Sequence, residues 1–299
     1  MNSSAIDLSR LAAPELVEVI DFETLYAERK ARLISLYPIE KQAEVAATLE
    51  LESEPQALLL QESCYREINL RQRVNDAARS VLLAYARGST LDHVAALLGV
   101  QRLIITPATF ETSAVMESDA NLRIRVQLAP ESFSVAGPVG AYKSSAMNAD
   151  GRVLDAGATS PVPGTVLVTV LSRDGDGTAD TDLLNIVSDA VGAEDVRPLT
   201  DQVVVQSAEI LDYEVEARIY TFPGPDSSLV MTEARKNLDA YLLECHKIGR
   251  EVALSGIYAA LHVGGVDRVA LIQPTADLVA NETQAPHCTS ILITGGAHG

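Results

Sequence analysis

The apolar positions of this chain change period along its length. The first hundred residues carry three- and four-residue spacing, and the remainder mixes helical stripes with two-residue alternation. After Pro14, an apolar series through Leu16, Val19, Ile20 and Phe22 leads into FETLYAERKARLISLYP, where Leu25, Leu33 and Leu36 share one helix face before Pro38 begins a new segment. Ser53 is an N-cap candidate with Pro55 in the first turn, and the pattern predicts one long helix from there to Arg87. Its stripe runs through Leu58, Tyr65, Ile68, Ala78, Leu82 and Tyr85, broken by Gln61, Glu62, Arg71, Gln72 and Asn75. So mixed a seam fits either a solvated helix over its own domain or a helix packed on partner helices, with polar residues setting register. Gly88 suits the left-handed conformation that ends a helix. Ser89 with Asp92 is a capping-box variant that restarts a short helix through Leu91, Val94, Ala95, Leu97 and Leu98 as far as Gly99.

Beyond Pro107 the composition shifts. Residues 106–118 are expected to link a helical region, residues 1–105, to two α/β units at 119–200 and 201–299. Helices are predicted at 119–128 and 140–147, with strands at 152–156 and 165–171. The later half repeats that order, with helices at 227–246 and 255–262 and strands at 266–272 and 289–294. Tyr142 and Tyr258 each precede an Arg-Val pair by ten residues, which suggests a duplicated unit, convergence of short α/β units being the alternative. Between the halves, Pro198 after Arg197 favours a turn. Alternation at Val203 and Val205, then at Val215, Ala217 and Ile219, predicts long half-buried strands closed by Pro223 and Gly224. A helix capped near Asp226 or Ser227 should present Leu229, Ala234, Leu238, Tyr241 and Leu242 to a sheet. Gly265 is a turn before a strand. The expected fold class is α+β and multi-domain, with long N-terminal helices followed by small α/β units.

Charge and composition narrow the function. The 299 residues hold 41 acidic and 23 basic side chains, a net charge of -18 that repels phosphate backbones and anionic headgroups, so neither nucleic acid nor membrane insertion is expected. Apolar runs such as Thr165 to Leu171 fall far short of the roughly 20 residues of a membrane span, and no export signal is visible at the amino terminus. With no Trp and 4% aromatics, a glycan- or base-stacking platform has little material. Cys64, Cys245 and Cys288 form no framework spacing and read as structural thiols.

Candidate chemistry is sparse. Asp174, Asp176, Asp180 and Asp182 alternate as calcium ligands do, yet counting from Asp174 the EF-hand's sixth-position Gly is Ala179 and its twelfth-position Glu is Asn185, so a solvated loop is expected. Cys245-His246 and His287-Cys288 cannot each converge on one zinc ion, because adjacent side chains diverge; only one residue from each pair can meet. His93 and His262 read as partly buried structural histidines. No nucleophile elbow, H-E-x-x-H or P-loop is present, and no cofactor or catalytic residue is indicated.

Three motifs then stand out in order: LLAYARGSTLDHVAALLGVQR at 82–102, AGPVGAYKSSAMNADGRVLDA at 136–156 and VRPLTDQVVV at 196–205, followed by GREVALSGIYAALHVGGVDRVALIQPTADL at 249–278. In these the chain resembles the baseplate J-like proteins of contractile-tailed bacteriophages. The resemblance implies a structural wedge protein of the virion's tail baseplate, assembled in the host cytoplasm. Such a protein joins other copies of itself in a sixfold ring around the tube and couples baseplate rearrangement to sheath contraction. It further implies a second wedge protein bound through long helices, residues 54–87 and 22–36 here, and contact with a lysozyme-like sheath-initiating component. It carries no catalytic residues. The alternatives are a metal-dependent hydrolase using the Asp174 to Asp182 loop and a receptor-binding tail module.

Overall fold

The computed structural model describes residues 6, 8, 11–12, 14, 21–51, 53–134, 137–194, 196–198, 200–222 and 227–296. Leu16, Val19, Ile20, Pro223, Gly224 and Asp226 lie outside the described residues. The chain divides into two compact units, residues 6–97 and 98–299.

The first unit is helical: α1 (Phe22–Ser35), α2 (Ile39–Thr48), α3 (Pro55–Ser80) and α4 (Gly88–Ala96). Asp21 caps α1, its Oδ2 accepting from Thr24 N at 3.0 Å, and these bonds to Thr24 hold its carboxyl below the usual range. A small core of Leu25, Leu49, Ala57 and Cys64 joins the helices, with the Phe22 ring 4.9 Å from that of Tyr65 and Arg29 of α1 bonded to Ser63 and Glu67 of α3.

The long helix is shorter than its stripe predicts. Its N-cap is Glu54 rather than Ser53, and it stops at Ser80, so Leu82 and Tyr85 lie in the turns that follow. Tertiary anchoring outweighs helical period there. Ala86 is fully buried, its N–H turned back to Leu82 O at 2.8 Å, and the Tyr85 hydroxyl donates to Leu11 O at 2.8 Å. Gly88, at φ +50, opens α4 instead of closing α3; the N-cap is Arg87, so Ser89 sits inside the helix. Gly99, at φ +72, follows α4 as expected.

In the second unit, β1 (Ile104–Thr106) and β2 (Val115–Met116) pair antiparallel. Glu117, within the segment expected to be a linker, is buried. Arg125 of α5 (Asp119–Leu128) donates through Nη1 to Glu117 Oε2 at 2.5 Å and to Gln101 O at 3.1 Å, and through Nε to Asn148 Oδ1 at 2.8 Å. Arg102 adds bonds to Glu117 O and Asp119 Oδ1 at 2.6 and 2.7 Å. Burial pulls the Arg125 guanidinium below its usual range despite the facing carboxylate. The base of the β1–β2 hairpin is thus bolted to α5 and to α6 (Val139–Ala149).

Next come β3 (Val153–Val162) and β4 (Thr165–Ser172), a hairpin turned at Gly164 with φ +84, then α7 (Thr181–Gly192) and β5 (Gln202–Ser207). The sheet order is β3-β4-β5; β3 and β4 are antiparallel, β4 and β5 parallel across the α7 crossover. Tyr142, Val153, Val168, Leu183 and Val187 fill its core. The Pro198 turn precedes β5, with Asp201 N bonded to Pro198 O at 3.1 Å.

The remaining elements are β6 (Glu209–Thr221), α8 (Ser227–Cys245), α9 (Leu254–Leu261), β7 (Val266–Gln273) and β8 (Gln284–Gly296), in sheet order β7-β6-β8, with β6 antiparallel to β7 and parallel to β8. Gly265, at φ +97, makes the turn into β7. Val215, Ala217 and Ile219 face Val230, Ala234 and Leu238 of α8. Leu229, expected on that face, is 71% exposed; the stripe at four-residue spacing starts one residue later, at Val230. The order of element types does recur between the halves, but their pairing does not. β3 and β4 form a hairpin, whereas β6 separates β7 from β8, and Tyr142 is buried while Tyr258 is 41% exposed.

Replacing Arg125 with Met leaves the Glu117 carboxylate buried without its partner, and should destabilise the fold by about 3–5 kcal/mol in urea unfolding. Burial, with the 2.8 Å hydrogen bond to Asp201 Oδ2, pushes the Tyr142 phenol up to about 12. The unfolded phenol ionises near 10, so this stabilisation is complete below about pH 10 and is lost as pH rises through about 12. Unfolding midpoints should fall across that window, less so for Tyr142→Phe, with phenolate absorbance following the loss.

Candidate assembly interface

α3 presents more apolar surface than its own unit covers. Its 26 residues bury Ala57, Cys64 and Asn75 along one line, while Leu58, Leu59, Tyr65, Leu70 and Val74 are exposed. Of the residues predicted for partner binding, Leu58 and Tyr65 are exposed on the helix, Ile68 and Ala78 are half-buried, and Leu82 and Tyr85 lie beyond its end. The predicted stripe therefore flanks the buried line of α3, with the Tyr65 ring laid on Phe22 of α1.

The second apolar line was missed. Leu59, Leu70 and Val74 fall within about 60° of one another at 100° per residue, on the side away from Ala57 and Cys64, and Leu70 and Val74 are each 60% exposed. Their spacing of eleven and four residues was the available signal. Ion pairs Glu62–Arg66 and Glu67–Arg71, at 2.6 and 2.5 Å, with a Gln72–Asp76 bond at 2.8 Å, each reach one turn along the helix and support it without tertiary burial.

The aspartates of the 174–182 loop have other partners. Asp176 Oδ1 accepts from Thr178 N at 2.9 Å, and Asp180 caps α7 by accepting from Leu183 N at 2.7 Å. Arg152 reaches Asp182 at 2.9 Å, Asp150 at 3.0 Å and Asp180 at 3.9 Å, so the cation among these carboxylates is a guanidinium. Asp174 turns the loop, its carbonyl accepting from Gly177 N at 3.2 Å. Among the described residues no group of three or more His, Cys, Asp or Glu is placed to hold a metal ion.

One residue from each Cys-His pair does meet its counterpart: the His246 and His287 rings lie 5.6 Å apart. His246 Nδ1 bonds Pro286 O at 2.6 Å, tying the end of α8 to β8, and His287 Nδ1 bonds Asp212 Oδ1 at 3.0 Å, tying β8 to β6. Cys64, Cys245 and Cys288 are free thiols, and burial pushes all three up. His93, on α4, and His262, just past the end of α9, are exposed, not partly buried as expected.

Comparison with known proteins places the sequence in one family. Three family models match in order: the baseplate J-like N-terminal domain at residues 52–109, the central domain at 134–207 and the C-terminal domain at 213–294. Baseplate protein J of Escherichia phage P2 is 52% identical over 297 residues, covering 98% of each chain. A chain of the cryo-EM structure of the anti-feeding prophage (AFP) baseplate, 6-fold symmetrised, is 16% identical with a TM-score of 0.37. That match covers 62% of this chain and 43% of that one, less than half of its length. With its sequence matched from end to end by one relative and its three segments by three models of one family, the chain belongs to the baseplate J-like proteins.

Proposed function

We propose that this chain is a structural component of a phage tail baseplate, a wedge protein whose role is mechanical rather than catalytic. The observation that carries the reading is the 52% identity to a baseplate protein J across 98% of both chains. In the finer reading, α3 binds a second wedge protein, copies of the chain close into a sixfold ring around the tube, and the ring touches a lysozyme-like component that starts the sheath. Repacking between discrete arrangements of modest interfaces then couples baseplate rearrangement to contraction. Its place is the virion tail, reached after assembly in the host cytoplasm. Support for the helix assignment comes from the free line of Leu59, Leu70 and Val74, since an amphipathic helix laid into a partner's groove is read through such anchors. No helix of the described residues is long and apolar enough to cross a membrane. The hydrolase alternative gains nothing from a loop whose carboxylates are spent on Arg152 and on the α7 cap.

Co-expression with the second wedge protein of the same particle tests the reading. Leu70→Glu with Val74→Glu, both on exposed positions, should shift the chain's own stability by no more than about 1 kcal/mol yet abolish co-purification. Undiminished co-purification would remove α3 from the interface, and an unaltered chain that binds no tail component would overturn the function itself.

A further inference from the structure

Three Asp-Gly pairs stand in this chain, at 150–151, 174–175 and 176–177. Such a pair is prone to a reaction with itself, because glycine has no Cβ to keep its nitrogen from the preceding side chain and its backbone turns freely. The nitrogen attacks the aspartate Cγ. A new N–C bond closes a five-membered succinimide, and the side-chain hydroxyl leaves with the amide proton as one water. Water then opens the ring at either carbonyl. Opening at the side-chain carbonyl restores aspartate, whereas opening at the backbone carbonyl leaves the chain running through Cβ and Cγ as isoaspartate. Nothing but water leaves or enters, so each pair supplies its own reactants.

The fold treats the three pairs differently. Asp150 is committed, its Oδ1 accepting from Arg152 N at 2.8 Å and its Oδ2 from Arg152 Nη2 at 3.0 Å. Gly151 is buried, and a Cβ there would run into Ile104 O. Asp176 is committed as well, Oδ1 accepting from Thr178 N at 2.9 Å, while the buried Gly177 donates its N–H to Asp174 O at 3.2 Å. Asp174 and Gly175 have neither restraint. Both are exposed, and among the described residues neither the Asp174 carboxylate nor the Gly175 N–H finds a partner. Gly175 takes φ +63 at the first central position of the turn that Gly177 closes, with open space around its α-carbon.

We infer that Asp174 is a modification site, the place where this folded chain isomerises through a succinimide to isoaspartate while Asp150 and Asp176 stay intact. Ring closure at 176 must first give up two hydrogen bonds, which slows it by at least about tenfold relative to 174. The product has a structural address. Isoaspartate lengthens the backbone by one carbon inside a tight turn and turns the former carbonyl, the acceptor for Gly177, into a free carboxylate. Gly177 cannot move inward to take up the slack, since a Cβ on it would lie 2.6 Å from Leu171 Cδ1 and 3.2 Å from the His246 ring. His246 is the residue whose bond to Pro286 O ties the end of α8 to β8. The added length therefore acts on that tie. This inference concerns the chain by itself and does not depend on the assembly reading proposed above.

Ageing the full chain at neutral pH tests it, with the same chain held unfolded in urea as the control. Peptide mapping with electron-transfer fragmentation locates isoaspartate residue by residue, and methyl transfer by an isoaspartyl methyltransferase counts it. The unfolded control should isomerise at all three pairs at comparable rates. In the folded chain 174 should lead 150 and 176 by at least about tenfold. Asp174→Glu, whose ring would need six members, should remove the methyl-accepting site. Asp174→Asn reaches the same succinimide with loss of ammonia and should restore the site and fill it faster. Hydrogen exchange at the Gly177 amide should quicken in the isomerised fraction, and unchanged exchange there would overturn the link to His246. Three pairs that age alike in the folded chain, no isoaspartate at 174 while the unfolded control accumulates it, or methyl acceptance undiminished in Asp174→Glu would each overturn the site itself.

Discussion

The extended run from Gln202 to Thr221 is the constraint on which the second unit depends. It is parted only at Ala208, serving as edge strand β5 of one sheet and central strand β6 of the next. Ala208 is buried, its N–H bonded to Val170 O at 2.8 Å, and only a small side chain fits among Leu171, Ala285, Leu154 and Ile248. Asp155 seals the same joint, its carboxylate held by Lys143 at 2.8 Å and accepting from Ile248 N at 3.2 Å. One backbone belongs to both sheets, β5 pairing with β4 in one and β6 with β7 and β8 in the other. A load on one is carried to its neighbour through covalent bonds.

The helical unit is built on the opposite principle. At 26 residues α3 is about 39 Å long, yet its own unit buries only a few of its side chains. What holds it straight is mostly local: the absence of internal Gly and Pro, Pro55 in the first turn, and charge pairs one turn apart. A helix supported from within can offer a side to a partner without losing its shape while that partner is absent, and it needs no large core beneath it.

Elements with a strong period and clear flanks were legible in the sequence. Among them were α1 before Pro38, α5, α6, α8 and α9, and the strands beginning at Val153, Thr165 and Val266. The losses have physical causes. α7 was hidden because Asp174 to Asp182 reads as loop, although Asp180 is its N-cap and Leu183, Val187 and Val191 form its stripe. β8 was predicted from Thr289 because its first residues, Gln284 to Cys288, lack alternation and owe their pairing to β6. Helical period carried the prediction for α3 past Ser80, where the buried Ala86 bends the chain back. The Glu117–Arg125 pair had no local signature at all, since a charge is recognised as buried only once the elements around it are in place.

The pairing of β6 with β8 also orders events in time. Glu209 stands opposite Gln284 in the parallel register, and the intervening chain supplies α8, α9 and β7 before β8 is made. During synthesis β6 therefore emerges with one side paired at most, and its central position is filled only when the last of these strands has left the ribosome. A chain interrupted before β8 keeps a raw edge on its central strand and lacks Ile291 and Ile293 from its core. The sheet is therefore closed around β6 only by the last strand made, and every shorter chain shows an open side on its central strand.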